Sequence, residues 1–230
     1  MPLIEVRDVT HVYGEQSSRR VVLTDVSVRL AEQRIGIIGA NGSGKSTFVR
    51  LLNGLVIPTS GQVTVDGLDT KKDGRDVRRR VGFCFTDPDA QIVMPTVRED
   101  IAFGLRRRGL TKDQIAARVA AAMSTYGLDG HADHPAHLLS GGQKQLLALS
   151  SVLVTEPAVL ILDEPTTLLD LRNAAKVASV VERLSQQVIL VTHHLDLLKG
   201  FDRVLVFDDT RLVFDGAPAD ANEHYQGLMT

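Results

Sequence analysis

The stretch Ile35-Gly36-Ile37-Ile38-Gly39-Ala40-Asn41-Gly42-Ser43-Gly44-Lys45-Ser46-Thr47 decides how this chain folds. A short apolar run, Ile35–Ile38, leads into Gly39–Ser46, which fits the spacing G-x-x-x-x-G-K-[S/T], and a helical stretch, Thr47–Asn53, follows. Phosphate binding calls for this composition. Successive backbone amides must converge on phosphate oxygens, glycines permit the turns that this requires, and a helix starting at the loop aims its positive end at the anion. Lys45 adds a point charge to a cradle built from Gly39, Asn41, Gly42, Ser43, Gly44 and Thr47, and the Ser46 hydroxyl is suited to ligate Mg²⁺ at the terminal phosphates. The plainer alternative is a glycine-rich turn that merely joins a strand to a helix. Strand, loop, Lys-Ser pair and helix in this order favour a nucleotide pocket.

Outward from the loop, Val159–Leu162 and Val188–Val191 are again short and wholly apolar, as expected of strands covered on both faces in a parallel sheet. Upstream, Leu3–Leu30 alternates β-branched with polar residues (Ile4, Val6, Val9; Val22, Val26, Val28). Gln62–Val65 does so more briefly, which reads as a flanking antiparallel sheet. Helical spacing at Thr96–Arg107, Thr111–Tyr126 and Ser140–Val154, with a capping-box pattern at Thr111 and Gln114, suggests an inserted helical subdomain. Val204–Phe207 and Leu212–Phe214 flank Asp208-Asp209-Thr210 as a hairpin would. The expected fold class is therefore α/β: a P-loop NTPase (RecA-like) core, an antiparallel β flank and a helical insertion. All 230 residues form one domain, with residues 1–86 and 157–230 in core and flank and about 87–156 in the helical part.

Composition sets the outer bounds. A chain of 230 residues can bury a sizeable core without disulfides, and 43% apolar content excludes a disordered chain. Twenty-six Lys and Arg against 28 Asp and Glu leave no global field that would favour nucleic acid. The longest apolar stretches fall well short of the roughly 18 residues that suggest a membrane span. Met1–Thr10 carries Glu5, Arg7 and Asp8 where a signal peptide needs an apolar core, and Cys84 is the only cysteine, so a reducing cytosol is the expected compartment.

Two further constellations carry chemistry. In Val159-Leu160-Ile161-Leu162-Asp163-Glu164, an apolar strand delivers Asp163 to its carboxyl end, where open α/β sheets bind ligands and where an acid can hold Mg²⁺. Glu164 points a different way and is suited to polarise an attacking water, a general-base role worth about 10²–10⁴ in rate. An isolated Asp-Glu would more simply end a strand and cap the next helix. Leu139-Ser140-Gly141-Gly142-Gln143 offers a second anion site, with the Ser140 hydroxyl as N-cap and the amides of Gly141 and Gly142 on a positively polarised helix end. By itself it also reads as an ordinary serine cap beside flexible glycines.

Together, in this order, the three motifs resemble the nucleotide-binding subunit of ATP-binding-cassette (ABC) proteins over almost the whole chain. The resemblance implies ATP and Mg²⁺ as ligands and gives roles to further residues: Tyr13 stacks on adenine, His193 contacts the γ-phosphate, and Asp170 belongs to an interface loop. It also implies a dimer in which two chains sandwich two ATP molecules. Ser140, Gly141, Gly142 and Gln143 of one chain would then close on nucleotide held by Lys45 of the other. The chain departs from the family pattern twice. Thr86 stands after the strand Val81–Phe85 where a glutamine is usual, with Gln91 five residues on, and in Thr167-Leu168-Leu169-Asp170 the usual small residue and glycine before Leu-Asp are replaced.

Phe85–Val93 followed by Thr96–Gly104 resembles the ATPases of energy-coupling-factor (ECF) importers, which take up vitamins and transition metals. That resemblance implies a second ATPase chain, like or unlike, together with transmembrane scaffold and substrate-capture subunits, no nucleic acid, and a peripheral place on the cytoplasmic face of the cell membrane. The chain ends at Thr230, soon after Gly216-Ala217-Pro218, which points to dedicated systems for biotin first and cobalt or nickel next. One alternative is a soluble ABC ATPase acting on nucleic acid or ribosomes, which would usually show a coiled-coil insertion or two fused cassettes. Another is a small-molecule kinase, which would lack Leu139–Gln143. Arg78–Arg80 and Arg106–Arg108 read as solvated basic faces. His131, His134 and His137 read as a polar loop, since Pro135 breaks any helix that would align them.

Overall fold

A computed structural model of the chain describes residues 1–14, 18–106 and 108–228. In chain order the elements are β1 (Ile4–Tyr13), β2 (Arg20–Leu30), β3 (Arg34–Gly39), α1 (Lys45–Leu52), β4 (Ser60–Val65), β5 (Leu68–Asp69), α2 (Gly74–Arg80) and β6 (Val81–Cys84). There follow α3 (Val97–Phe103), α4 (Lys112–Tyr126), α5 (Gly141–Leu153), β7 (Val159–Asp163) and α6 (Leu171–Glu182). The chain closes with β8 (Gln187–Val191), β9 (Arg203–Asp208), β10 (Arg211–Gly216) and α7 (Pro218–Leu228). It divides into two compact units: Met1–Val81, Ala158–Asp163 and Leu184–Thr230 in the first, Gly82–Pro157 and Glu164–Arg183 in the second. Residues 164–183 thus group with the helical part rather than with the core, to which the sequence reading assigned them.

The first unit holds an antiparallel sheet in the order β2-β1-β4-β5. Its alternation is clear in β1, where Ile4, Val6 and Val9 are buried and Asp8, at φ 49°, makes the bulge that keeps Val9 facing inward. The second sheet of this unit runs β10-β9-β3-β8-β7, with β9, β3, β8 and β7 parallel and β10 antiparallel at the edge. Every residue of β7 and β8 is buried, which is why these strands read as unbroken apolar runs. The β9–β10 hairpin turns through Asp209 and Thr210, both at positive φ, as a two-residue turn matched to strand twist demands. Because β8 lies between β3 and β7, with Val191 opposite both Ile37 and Asp163, the carboxyl ends of these three strands are neighbours. That is where an open α/β sheet binds its ligand.

In the second unit, Val97 and Ile101 of α3, Val119, Ala122 and Met123 of α4, and Leu147 of α5 share one core with Leu105, Leu128 and Leu139. Helix α4 starts in a complete Thr111/Gln114 capping box and stops at Gly127, which takes the left-handed conformation at φ 70°. Helix α3 ends at Phe103, short of the expected Arg107, which lies outside the described residues. Of the other basic cluster, Arg78 donates to the Gly54 carbonyl, Arg79 meets Asp76 and Arg80 meets Asp66. Cys84 is fully buried, and burial pushes its thiol up to about 12. A disulfide-exchange reagent at pH 8 should therefore leave the native chain unlabelled over hours and titrate one thiol per chain in guanidinium. Labelling before unfolding would contradict this placement.

Candidate functional site

In the first unit, β3 delivers the glycine loop and α1 begins directly behind it. Gly44 is the N-cap of α1, at φ 102°, and no side chain caps the helix, so its first-turn amides are left for an anion. A Cβ at Gly44 would lie 2.4 Å from the Val22 carbonyl oxygen, so that only glycine fits there. Lys45 is 5% exposed, and its Nζ donates to the carbonyl oxygens of Gly39 and Ala40, each at 2.8 Å, which folds the ammonium into the loop. Ser43 and Thr47 are buried alongside, while Asn41 and Gly42 face solvent.

The second group converges on the same loop. Asp163, the last residue of β7, is 1% exposed, and its Oδ1 accepts from the Ser46 hydroxyl at 3.0 Å. Its Oδ2 lies 3.7 Å from the Arg50 guanidinium, a partner that the sequence reading did not find. A buried carboxylate beside a serine hydroxyl is an oxygen donor set that suits a hard divalent cation such as Mg²⁺. His193 follows β8, between the strands that carry Gly39 and Asp163, and it is exposed. Tyr13 closes β1 with 42% of its surface exposed and meets the His11 ring in a T-shaped contact, centroids 4.5 Å apart.

The second unit carries the remaining expected residues. Ser140 caps α5 in a full capping box: the Gln143 backbone N–H donates to Ser140 Oγ, and Gln143 Oε1 accepts from the Ser140 backbone N–H. The serine hydroxyl keeps its own proton for an acceptor outside the helix. Gln143 Nε2 meets His131 Nε2 at 2.9 Å, so one histidine of the polar loop supports the capping box. No cluster of three or more His, Cys, Asp or Glu that could hold a metal occurs among the described residues. Gly141 is exposed, whereas Gly142 is buried. Glu164 sits at φ 53°, a conformation that is strained for this residue, and its Oε2 accepts from Thr167 Oγ1 at 2.8 Å. Asp170 is exposed and caps α6.

The departure at Thr86 gains a structural counterpart. Gln91 uses both ends of its amide inside the second unit: Oε1 accepts from the Phe85 backbone at 3.1 Å and Nε2 donates to the Ala148 carbonyl at 2.9 Å. It acts as a clamp between the end of β6 and α5. Lys144 of α5 adds a charged pair to Asp89 at 2.8 Å.

A lysine-centred glycine loop beside a buried acid, at the carboxyl edge of a parallel sheet, defines a P-loop nucleoside triphosphatase. Residues 23–167 match the family described as ABC transporter, and the chain belongs to that family. It is 49% identical over 215 residues to the biotin transport ATP-binding protein BioM of Rhizobium etli, covering 94% of this chain and 96% of that one. It is 42% identical over 232 residues to the energy-coupling factor transporter ATP-binding protein EcfA1 of Symbiobacterium thermophilum, covering 95% and 80%. Among solved structures, cbiO1 from Clostridium perfringens, part of the ABC transporter complex cbiONQ, aligns with a TM-score of 0.82 at 30% identity, covering 98% of this chain and 92% of that one. The chain is thus an ATP-binding subunit, an ATPase whose hydrolysis is coupled to transport. The relatives carry transport names, which favours this reading over a soluble cassette acting on nucleic acid. No helix among the described residues is long and apolar enough to cross a membrane.

Proposed function

We propose that this chain is one of two paired cassettes, on the cytoplasmic face of a membrane, that power an importer of the energy-coupling-factor type, with biotin as the cargo of the assembled system. The observation that carries the ATPase assignment is the approach of Ser46 to Asp163 at 3.0 Å, beside Lys45 in its glycine loop. Ser46 and Asp163 would hold Mg²⁺, which when bound neutralises charge on the terminal phosphates. Lys45 and the amides of Gly42, Gly44 and Ser46 bind the triphosphate, Tyr13 stacks on the base, and His193 orients the γ-phosphate. Glu164 takes a proton from the attacking water as the bond from the γ-phosphorus to the β,γ-bridging oxygen breaks, which releases ADP and phosphate.

Ser140, Gly141 and Gly142, on the capped end of α5, face the nucleotide of a second chain, with Asp170 at the same interface. The surface around Asp170 supports a partner there: Leu171, the first residue of α6, is 92% exposed and Leu168, on the loop before it, is 63% exposed. The biotin assignment draws on the likeness to BioM, and the membrane partners, a scaffold and a substrate-capture subunit, draw on the likeness to EcfA1.

Shared sites can be tested by mixing. Ser140→Arg and Lys45→Ala chains should each be inactive by themselves. Mixed, they should recover up to a quarter of wild-type hydrolysis, because half of all dimers pair one chain of each kind and each of these keeps one of its two composite sites intact. The absence of any recovery, with mixed dimers seen by mass spectrometry, would rule composite sites out. For the assembled system, affinity capture from native membranes should retrieve integral membrane proteins, and deletion should abolish uptake of labelled biotin.

A further inference from the structure

Within the second unit, one side chain touches two elements to which the proposed function gives separate roles. Gly142 is buried, and the amide of Asn173 fills the space that a side chain at position 142 would need. A Cβ built on Gly142 would come within 2.3 Å of Asn173 Cγ, 2.6 Å of Oδ1 and 2.7 Å of Nδ2. The same amide reaches Asp170: Asn173 Nδ2 donates to Asp170 Oδ2 at 3.0 Å, while the Asn173 backbone N–H donates to Asp170 Oδ1 at 2.8 Å. A carboxylate only accepts, so this pairing fixes which end of the amide is the NH₂ group. One residue therefore engages both oxygens of the interface aspartate and packs on the glycine thirty-one positions earlier.

Capping does not require this arrangement. An N-cap needs only the bond from the backbone N–H to Asp170 Oδ1, and α6 has it whatever side chain stands at position 173. The amide of Asn173 adds a cross-link between the loop that ends at Asp170 and the first turn of α5. We propose that Asn173 is a positioning residue that ties Asp170 to Gly142, so that the interface loop and the glycine-rich turn of α5 approach the partner chain as one body. The idea rests on the reading of Ser140–Gly142 and Asp170 as partner-facing elements. It adds that they are mechanically joined, so that ATP-driven closure of the dimer engages both together. A loop free to shift against α5 would have to be ordered at closure, at the expense of closure itself.

Two substitutions separate this role from plain stability. Asn173→Ala keeps the backbone cap and a good helix former, so α6 still forms, and the link to Gly142 is lost. Asn173→Asp turns the hydrogen bond to Asp170 into an encounter between two carboxylates and should be worse. In full-length protein, Asn173→Ala should bind Mg·ATP as a monomer within twofold of wild type, because the phosphate loop lies in the other unit, while kcat falls about tenfold. In a Glu164→Gln background, the fraction that dimerises with ATP on gel filtration should fall at least as much, with Asn173→Asp below Asn173→Ala in both assays and melting temperatures without nucleotide unchanged.

The proposal is overturned if both variants turn over and dimerise as wild type does, or if their losses simply follow weaker ATP binding or a lower melting temperature. If the Glu164→Gln parent itself forms no ATP-dependent dimer, the paired-cassette reading fails and this proposal fails with it. A parent that dimerises beside indifferent variants removes the link alone.

Discussion

Lys45→Ala should yield a folded chain that no longer holds Mg·ATP, with affinity lowered about 10³-fold and hydrolysis below detection. The ammonium is drawn into the loop by the carbonyl oxygens of Gly39 and Ala40, so its charge is already in place before a phosphate arrives. At about 4 Å and an effective dielectric near 20, one such charge pair is worth about 4 kcal/mol, which corresponds to about three powers of ten in binding. The fold should survive. Phe48, Val49, Leu51 and Leu52 bury α1 independently of the ammonium, and alanine is a better helix former than lysine. Calorimetric titration with Mg·ATP and a thermal melt without nucleotide would show both halves of the expectation. Wild-type affinity in the variant would remove Lys45 from the phosphate site.

Glu164→Gln should do the reverse, keeping the nucleotide and losing the turnover by about 10²–10⁴. Glutamine is isosteric, so its side-chain oxygen can still accept from the Thr167 hydroxyl at the 2.8 Å that Glu164 Oε2 now does. The backbone at φ 53° is no harder for glutamine than for glutamate. What is lost is the ability to accept a proton from water. A chain that binds ATP and cannot cleave it should gain thermal stability on adding Mg·ATP and keep it over time, whereas the wild type returns toward its ADP value. Single-turnover phosphate release measures the step directly. Steady-state hydrolysis equal to wild type would take Glu164 out of the general-base role.

Much of this architecture can be read in the residues because it is carried by local rules. Ile35–Ile38, Val159–Leu162 and Val188–Val191 are continuous apolar runs because both faces of β3, β7 and β8 are covered, and the Thr111/Gln114 box marks the start of α4 within one residue. Helices α2 and α7 left little trace. A single side chain is buried in α2, Val77, and one in α7, Ala221, too few to impose a 3.6-residue period on the sequence.

The phosphate loop and Asp163 were legible for the same local reason, since the motif and its strand are contiguous. The supporting contacts were not. Arg50 reaches Asp163 across more than a hundred residues, His131 braces Gln143 from a loop that reads as merely polar, and Gln91 spends its amide on Phe85 and Ala148. None of these leaves a spacing signature, because tertiary packing alone brings the partners together.

The bare leucines at positions 168 and 171 bear on how the protein behaves when made by itself. Side chains of this size, held in water at the start of α6 and on the loop before it, should make an overproduced chain self-adhesive as its concentration rises. Recovery in soluble form would then depend on co-expression with whatever normally blankets them, and losses on concentration would come from oily contacts at one edge rather than from a weak interior.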